Sequence, residues 1–370
     1  MSYYEHIVFD DIFDNSSDAE SGSGELGSGF DEPCDRALSR EMQGRVLPVV
    51  YGLIFALGLL GNGLVLVVMG CQRGARSMTD RYRVHLSVAD LLFVLSLPFW
   101  AVDAVQGWIF GRFMCVAVHA VYTVNLYGSV LLLAFISVDR YLAVARATSS
   151  RESRRYLAKC VVYMGAWLPA AILTTPDLVF ATVEEDLSAN GNLGNESYVV
   201  CARVYPPESA QNWNIAFRLQ HVLVGFAVPG AVLLACYCVV AATLARGPAG
   251  VGVQKRRALR TTVALVACFF ACWMPYCCAI LVDTLMSMGV IQHTCERQSA
   301  LDRWICATEA LAYFHCCLNP ILYAFLGATF KRSARNAFAR GRGSSVKILP
   351  KKKGTLSTST ESESSSFQSS

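Results

Sequence analysis

The chain has 370 residues, of which 54% are hydrophobic and only 16% are charged, and its formal net charge is +4. About a quarter of the residues of a soluble domain are charged, so this composition excludes a disordered chain and a nucleic-acid-binding protein. Long stretches contain no charged residue at all, and the lipid bilayer is therefore the expected solvent for most of the chain.

The first 45 residues are predicted to form an acidic extracellular arm. Residues 1–34 contain nine Asp or Glu and no Lys or Arg, and no signal peptide is visible in them, so the first span is expected to direct membrane insertion. Tyr3 and Tyr4, beside Glu5, are candidates for sulfation, with an unmodified arm as the alternative. Asn15, and Asn195 in a later loop, begin sequons for N-glycosylation.

Seven stretches have the length of a membrane span. Five contain no Lys, Arg, Asp or Glu and reach the roughly 20 residues that cross hydrocarbon as a helix, namely 46–72, 113–138, 219–245, 261–282 and 310–330. Two weaker stretches fill the gaps: 84–102, which is interrupted only by Asp90, and 160–176. The predicted fold is an all-α membrane protein with a seven-transmembrane helix bundle over residues 46–330.

Prolines lie inside five of these spans, at Pro98, Pro169, Pro229, Pro275 and Pro320. A membrane helix tolerates proline because neighbouring helices can satisfy the backbone groups that it frees. We therefore expect kinked helices.

The basic residues predict the orientation of the chain. Segments 70–83, 139–159, 246–260 and 331–370 hold 24 of the 32 Lys and Arg residues, and cytoplasmic segments retain such residues. We therefore expect a multi-pass plasma-membrane protein with an extracellular N-terminus and a cytoplasmic C-terminus. Residues 331–340 are predicted to form a short amphipathic helix that lies on the membrane lipid of the inner leaflet. A disordered Ser/Thr-rich tail is expected over 341–370.

One acid lies deep within a span. An ionisable residue there is costly and is a functional candidate for that reason. Asp90 is near the middle of the second span, and polar residues of other spans lie at depths that could meet it: Asn62, Asn125, Ser129 and Asn319. They could hold a cation such as sodium or a water cluster, or form a hydrogen-bonded network that only locks the helices together.

Four further acids lie at the extracellular ends of spans: Asp103, Asp177, Asp283 and Glu309. Beneath an acidic arm they would form an acidic vestibule, and a concave field of one sign attracts ligands of the opposite sign. We therefore expect a cationic ligand, with acids that only solvate the rim as the alternative. Trp108, at the same end, is predicted to belong to the interfacial aromatic belt.

Four of the 15 cysteines are predicted to lie outside the cell. An oxidising exterior would pair them, and the expected disulfides are Cys115 with Cys201 and Cys34 with Cys295. A zinc site is an alternative for Cys268, Cys272, His315, Cys316 and Cys317, but four ligands would have to converge in a dry bundle. We therefore expect packing, with no metal and no cofactor.

Three short motifs lie at matching places in the spans. Asp139-Arg140-Tyr141 ends the third span, Trp273-Met274-Pro275 lies in the sixth, and Asn319-Pro320-Ile321-Leu322-Tyr323 lies in the seventh. Together with Gly61-Asn62, Leu86-Ser87-Val88-Ala89-Asp90, Trp167 and Pro229, they make the chain resemble rhodopsin-family G-protein-coupled receptors.

Longer stretches narrow the resemblance to chemokine receptors of the CXC type. They are residues 76–80, 96–105, 122–127, 139–144, 315–320 and 362–367. The resemblance implies a basic chemokine ligand, an inhibitory-class heterotrimeric G protein, and receptor kinases and arrestin acting on the tail. The ligand-binding residues that it implies are Trp100, Asp103, His119, Tyr122, Asp177, Arg203, Tyr276, Asp283 and Glu309.

The resemblance also implies a switch. On activation, span six would swing about Pro275, and Arg140 would release Asp139 and turn toward Tyr237 and Tyr323. The remaining switch residues are Tyr141, Trp273, Asn319 and Pro320.

The sequence departs from the chemokine-receptor pattern in places. Ala202 stands where an Asp is usual, the loop over 184–200 is lengthened, Phe30 replaces a tyrosine, and His315 stands where rhodopsin-family sodium sites have Asn. Ligand preference and sodium binding are therefore open, as is the oligomeric state.

Two rival functions are a scavenging chemokine receptor without G-protein signalling and a transporter or retinal-bound pump. The intact Asp139-Arg140-Tyr141 disfavours the first, and the absence of a Lys from span seven disfavours the second. No set of nucleophile, base and oxyanion site indicates an enzyme.

Overall fold

The computed structural model describes residues 37–71, 78–145, 161–186, 198–246, 253–326, 330 and 334–335. Most of the predicted cytoplasmic helix 331–340 and all of the tail 341–370 lie outside these ranges, and Arg140 is described by its backbone alone. Five predicted sites also lie outside them: Tyr3, Tyr4, Asn15, Cys34 and Asn195.

The first half of the bundle consists of four α-helices. They are α1 (Ala37–Gly70), α2 (Met78–Val94), α3 (Leu97–Gln106) and α4 (Gly111–Ala145). α2 and α3 together form the second span, and the chain between them turns at Leu95 and Ser96, where the Ser96 hydroxyl donates to the Phe93 carbonyl at 2.6 Å. The Ser96 backbone N–H donates to the same carbonyl at 2.9 Å, so a main-chain and a side-chain hydrogen bond together close this turn.

The fourth span is described from Val161 onward as three consecutive helical segments. A π-helical segment (Val161–Trp167) precedes α5 (Leu168–Leu173) and α6 (Thr175–Phe180). An antiparallel hairpin of β1 (Ala181–Asp186) and β2 (Tyr198–Arg203) follows, on the side predicted to be extracellular.

The second half contains spans five to seven. Span five consists of a 3₁₀ turn (Pro207–Ser209), α7 (Ala210–Val222), a π-helical segment (Leu223–Ala227) and α8 (Val228–Arg246). Spans six and seven are single helices, α9 (Val253–Ser287) and α10 (Cys295–Leu326). Within the described ranges, six helices are long and apolar enough to cross a membrane, and the fourth span supplies the seventh helical segment of the predicted bundle.

Three prolines coincide with irregular helix geometry. Pro98 follows the turn between α2 and α3, while Pro169 and Pro229 each lie two residues beyond a π-helical segment. Proline cannot donate a backbone hydrogen bond and its ring clashes with the carbonyl four residues earlier, so the preceding turn widens or breaks. Pro275 and Pro320 lie within continuous helices.

The third span, α4, is the centre of the bundle. It packs against α2, the fourth span, α8 and α9 as well as both strands of the hairpin. The apolar stretch of α4 is 72% buried, whereas that of the fifth span is only 17% buried. Span five therefore directs most of its apolar side chains away from the bundle, and α4 is the element around which the bundle packs.

Candidate functional site

A cavity of about 500 Å³ lies at the end of the bundle that carries the β-hairpin, which is predicted to be extracellular. Its wall combines aromatic rings with a few polar groups, as ligand pockets do. Four of the residues predicted to bind ligand line it, namely Tyr122, Asp177, Arg203 and Tyr276; the other lining residues are Thr123, Leu126, Tyr127, Leu173, Pro176, Phe217, Gln220 and His221.

The hairpin covers this cavity and is tied to the bundle. The disulfide between Cys115 and Cys201 joins the start of α4 to β2, with Cα atoms 5.6 Å apart, which confirms this predicted pair. The backbone N–H of Trp108 also donates to the Val199 carbonyl at 2.7 Å. Cys295 is disulfide-bonded as well, but its predicted partner Cys34 lies outside the described residues.

Two acids of the predicted vestibule are engaged by arginines of the same chain. The Arg203 guanidinium donates to Asp177 Oδ1 from Nε at 2.7 Å and from Nη2 at 2.5 Å. Arg218 Nη1 lies 2.6 Å from Asp283 Oδ2. Both carboxylates are almost completely buried, so each pair is held in a medium that strengthens its attraction.

Arg218 was not predicted from the sequence. It lies immediately before the charge-free run 219–245, which was taken as the beginning of the fifth span, whereas the helix α7 begins at Ala210. The available signal for Arg218 was its basic charge on the predicted extracellular side, which has few Lys or Arg residues.

The predicted residues Trp100, Asp103 and His119 lie together beneath the hairpin. All three are buried, and the rings of Trp100 and His119 make an edge-to-face contact with centroids 5.3 Å apart. Trp108 packs against Trp100 at 5.6 Å and is only 3% exposed. The prediction that Trp108 belongs to the interfacial belt is therefore wrong, because this ring fills the space between the helix ends and the hairpin.

Glu309 is connected to the cavity wall through a tyrosine. The carboxylate is buried and accepts a hydrogen bond from the Tyr313 hydroxyl at 2.6 Å. The Tyr313 ring lies 5.9 Å from that of Tyr122, which lines the cavity.

His221 joins the cavity to the helix-six motif, and the sequence did not single it out. Its ring stacks on Tyr122 at 6.4 Å and makes an edge contact with Tyr276 at 5.4 Å. On its other side it lies 5.6 Å from Trp273. The available signal was that His221 is the only histidine within the charge-free run 219–245.

Asp90 forms part of the predicted polar network. It accepts hydrogen bonds from Asn319 at 2.8 Å and Asn125 at 3.3 Å, and Asn125 in turn contacts Ser129 at 3.5 Å. Asn62 instead donates to the backbone carbonyl of Cys316 at 3.0 Å. The network therefore links spans one, two, three and seven, and Asn62 reaches span seven through the backbone.

The network is bordered by two side chains of span seven. A carboxylate oxygen of Asp90, a ring nitrogen of His315 and Sγ of Cys316 all lie within 4.8 Å of one another. His315 Nδ1 is 2.5 Å from the Ala312 carbonyl, and the ring contacts Trp273 at 5.5 Å. His315 therefore connects the Trp273 motif with the Asp90 network.

Comparison with known proteins identifies the family. A sequence profile described as "7 transmembrane receptor (rhodopsin family)" matches residues 61–323. The chain is 55% identical over 361 residues to C-X-C chemokine receptor type 4-B of Xenopus laevis, with 97% of each chain covered. The same identity and coverage hold for C-X-C chemokine receptor type 4 of Xenopus tropicalis and type 4-A of Xenopus laevis. The chain belongs to the chemokine receptors of the rhodopsin family.

Membership confirms the seven-helix fold and the resemblance to CXC-chemokine receptors that the sequence motifs predicted. The family consists of multi-pass membrane receptors rather than enzymes, as expected from the sequence. The residues of this receptor that bind ligand or switch its state remain predictions.

The end of the bundle opposite the hairpin, which is predicted to be cytoplasmic, contains two of the predicted switch motifs. Asp139-Arg140-Tyr141 lies in the last turns of α4. Two residues before Asp139, the Ser137 hydroxyl is 2.8 Å from the hydroxyl of Tyr237 in span five. Spans three and five are thus joined at the level of the motif.

Tyr323 of the Asn-Pro-Ile-Leu-Tyr motif contacts Arg83, a cation that the sequence motifs did not predict. The Arg83 guanidinium is 5.1 Å above the Tyr323 ring and also bonds Asp80 at 3.1 Å. The Tyr323 ring is fully buried. This contact holds the end of span seven against the beginning of span two.

Proposed function

We propose that this receptor binds the basic chemokine stromal-cell-derived factor (CXC ligand twelve) and transmits binding to an inhibitory-class G protein and to arrestin, driving chemotaxis. The observation that carries the proposal is the extracellular cavity, whose wall residue His221 contacts both Tyr122 and Trp273. A ligand group in the cavity can therefore bias the motif at Pro275 through ring contacts. The similarity to C-X-C chemokine receptors supports the ligand class.

In the proposed binding mode, the acidic arm first attracts the basic ligand, and the ligand's N-terminus then enters the cavity. Attraction between opposite charges accelerates the first step. The second step brings a cationic group toward the acids at the outer ends of the spans, among which Glu309 is linked to the cavity wall through Tyr313.

In the proposed response, the ligand stabilises one of two packings of the bundle. Span six moves about Pro275, and the Ser137–Tyr237 contact between spans three and five opens. Arg140 then turns from Asp139 toward Tyr237 and Tyr323 and opens a cleft for the G protein. Phosphorylation of the Ser/Thr-rich tail adds the negative charge for arrestin. The receptor acts at the plasma membrane with its N-terminus outside.

The experiment is nucleotide exchange on the inhibitory-class G protein in membranes that carry the receptor, titrated with stromal-cell-derived factor. We expect a saturable response in the wild-type chain. Glu309→Gln removes one charge while preserving shape and an oxygen that accepts from Tyr313, and we expect it to raise the half-maximal concentration by about tenfold or more.

The matched control is Asp302→Asn, which removes an acid of the same helix that bonds Gln298 at 3.1 Å. We expect its response to stay close to that of the wild type, because its partner Gln298 does not line the cavity, whereas Tyr313, the partner of Glu309, contacts the lining residue Tyr122. Tight binding without nucleotide exchange would instead identify a scavenging receptor. Absence of binding would contradict the named ligand and point to a different basic one, in keeping with Ala202, which is buried opposite Thr182.

A further inference from the structure

We propose that Arg218 is a specificity-determining residue: it occupies the carboxylate of Asp283 as a resident cation and so removes this acid from the set that attracts the ligand. The inference rests on the proposed function, since it concerns how the same cavity distinguishes cationic ligands. It changes the expectation that Asp283 contacts the ligand directly.

The geometry of the pair carries the first step. Arg218 Nη1 lies 2.6 Å from Asp283 Oδ2, and the side chains are 12% and 1% exposed. An ion pair with a contact this short and little access to water is not exchanged freely for a solvent ion, because each partner would lose its compensation in a poorly hydrated place.

The surroundings of the pair hold Arg218 in place. The same Nη1 atom donates to the Ser287 hydroxyl at 3.2 Å, and that hydroxyl donates to the Asp283 carbonyl at 3.0 Å. Gln211, about two turns earlier on the helix of Arg218, donates to the Ser287 carbonyl at 2.9 Å. The outer ends of spans five and six are therefore joined by a small network with Arg218 at its centre.

Arg218 also faces the space that a ligand would enter. A second cavity of about 370 Å³ is lined by Arg203 and Arg218 together with His221 and Tyr276, and three of these four residues also line the first cavity. Each arginine on this wall is paired with one acid, Asp177 or Asp283. The lining of this second cavity therefore presents no net negative charge, unlike the vestibule that the sequence predicted.

The expected effects follow from this charge balance. Arg218→Gln removes the positive charge that faces the Asp283 carboxylate, so the affinity for a cationic ligand should rise by about tenfold. Asp283→Asn leaves the cation uncompensated and should lower the affinity by a similar factor. The double variant Arg218→Gln/Asp283→Asn has a neutral pair of similar shape and should bind within about threefold of the wild type.

The experiment measures equilibrium binding of labelled stromal-cell-derived factor to membranes with the full-length wild type, the two single variants and the double variant. Surface expression is measured in parallel, and the charge-swapped variant Arg218→Asp/Asp283→Arg retains a pair if an unpaired charge prevents folding. Recovery of wild-type affinity in the double or the swapped variant supports the proposal. A double variant as weak as Asp283→Asn, or an unchanged affinity of Arg218→Gln, overturns it.

A second probe separates this inference from the proposed function. Spermine is a small polycation, and its effect on the thermal unfolding temperature of the purified receptor reports cation binding without any chemokine recognition. Failure of the wild type to bind the chemokine would contradict the proposed function, while the spermine series would still test Arg218. The proposal expects spermine to stabilise Arg218→Gln more than the wild type; an equal shift overturns it.

Discussion

At the scale of single residues, the acids of the cavity illustrate what a sequence conceals. By sequence alone, Asp177, Asp283 and Glu309 are equivalent candidates for contacting a cationic ligand, because all three lie near the predicted outer ends of spans. The folded chain distinguishes them, since Arg203 engages Asp177 and Arg218 engages Asp283. Arginine partners come from segments distant in sequence, and residue spacing contains no information about such contacts.

The Asp177–Arg203 pair leads to a prediction about stability. Asp177→Asn leaves the Arg203 cation without its buried counter-charge, and removing one partner of a buried ion pair costs about 3–5 kcal/mol. We expect a clearly lower thermal unfolding temperature for the purified variant, measured by the fluorescence of a thiol probe or by tryptophan emission. Glu184→Gln, which alters an exposed acid of β1, is the control and should unfold like the wild type. Equal stability of the two variants would mean that the pair does not stabilise the fold.

At the scale of secondary structure, the apolar runs located the spans but underestimated their lengths. The run 310–330 predicts the core of span seven, yet α10 begins at Cys295 and includes Glu296, Asp302 and Glu309. Similarly, α9 extends from Val253 to Ser287 around the run 261–282. Charged residues interrupt a run without interrupting a helix, because the outer turns of a membrane helix lie in the hydrated interface or face a polar cavity.

Packing between spans one and seven depends on a residue without a side chain. A Cβ atom at Gly61 would lie 2.9 Å from Cγ of Pro320, whereas a Cβ atom at Gly63 would have no heavy atom within 4 Å. The proline ring is rigid, so this close approach leaves no room for a methyl group.

These two glycines form a matched pair of variants. We expect Gly61→Ala to destabilise the receptor by about 1–3 kcal/mol because the helices must separate. Gly63→Ala should be neutral or stabilising by up to about 1 kcal/mol, because alanine favours a helix over glycine. Thermal unfolding of the purified proteins measures both. A loss of stability in Gly63→Ala as large as in Gly61→Ala would show that the contact with Pro320 is not the cause.

At the scale of the whole molecule, the charge distribution determines how the ligand approaches. The arm over residues 1–34 has nine acids and no Lys or Arg, and a chemokine of net positive charge is attracted to such a field before contact. The cavity beneath contains internally paired acids, so long-range attraction arises mainly outside the bundle.

Ionic strength should therefore affect the association rate of the chemokine more than its dissociation rate. Raising the salt from about 0.05 to about 0.5 M should slow the association rate of stromal-cell-derived factor by about tenfold or more, because exposed charges are screened. The dissociation rate should change far less, since contacts in the cavity are shielded from salt. Surface plasmon resonance on immobilised receptor measures both rates. A change confined to the dissociation rate would contradict a steering role for the arm.

The sequence by itself determined the number of spans and the receptor family, and it predicts the orientation of the chain. These properties depend on local quantities: the length of an apolar run, the position of basic residues, and motifs of a few adjacent residues such as Asp139-Arg140-Tyr141. The disulfide between Cys115 and Cys201 was predictable for a similar reason, because few cysteines lie on the oxidising side.

Only the tertiary structure decided which residues of the site meet. It placed His221 between Tyr122 and Trp273 and buried Trp108 beneath the hairpin. It also paired Asp283 with Arg218. Each of these contacts joins segments whose relative position depends on how seven helices pack at once. Packing of that kind is a property of surfaces and angles between helices, and no single stretch of the sequence contains it.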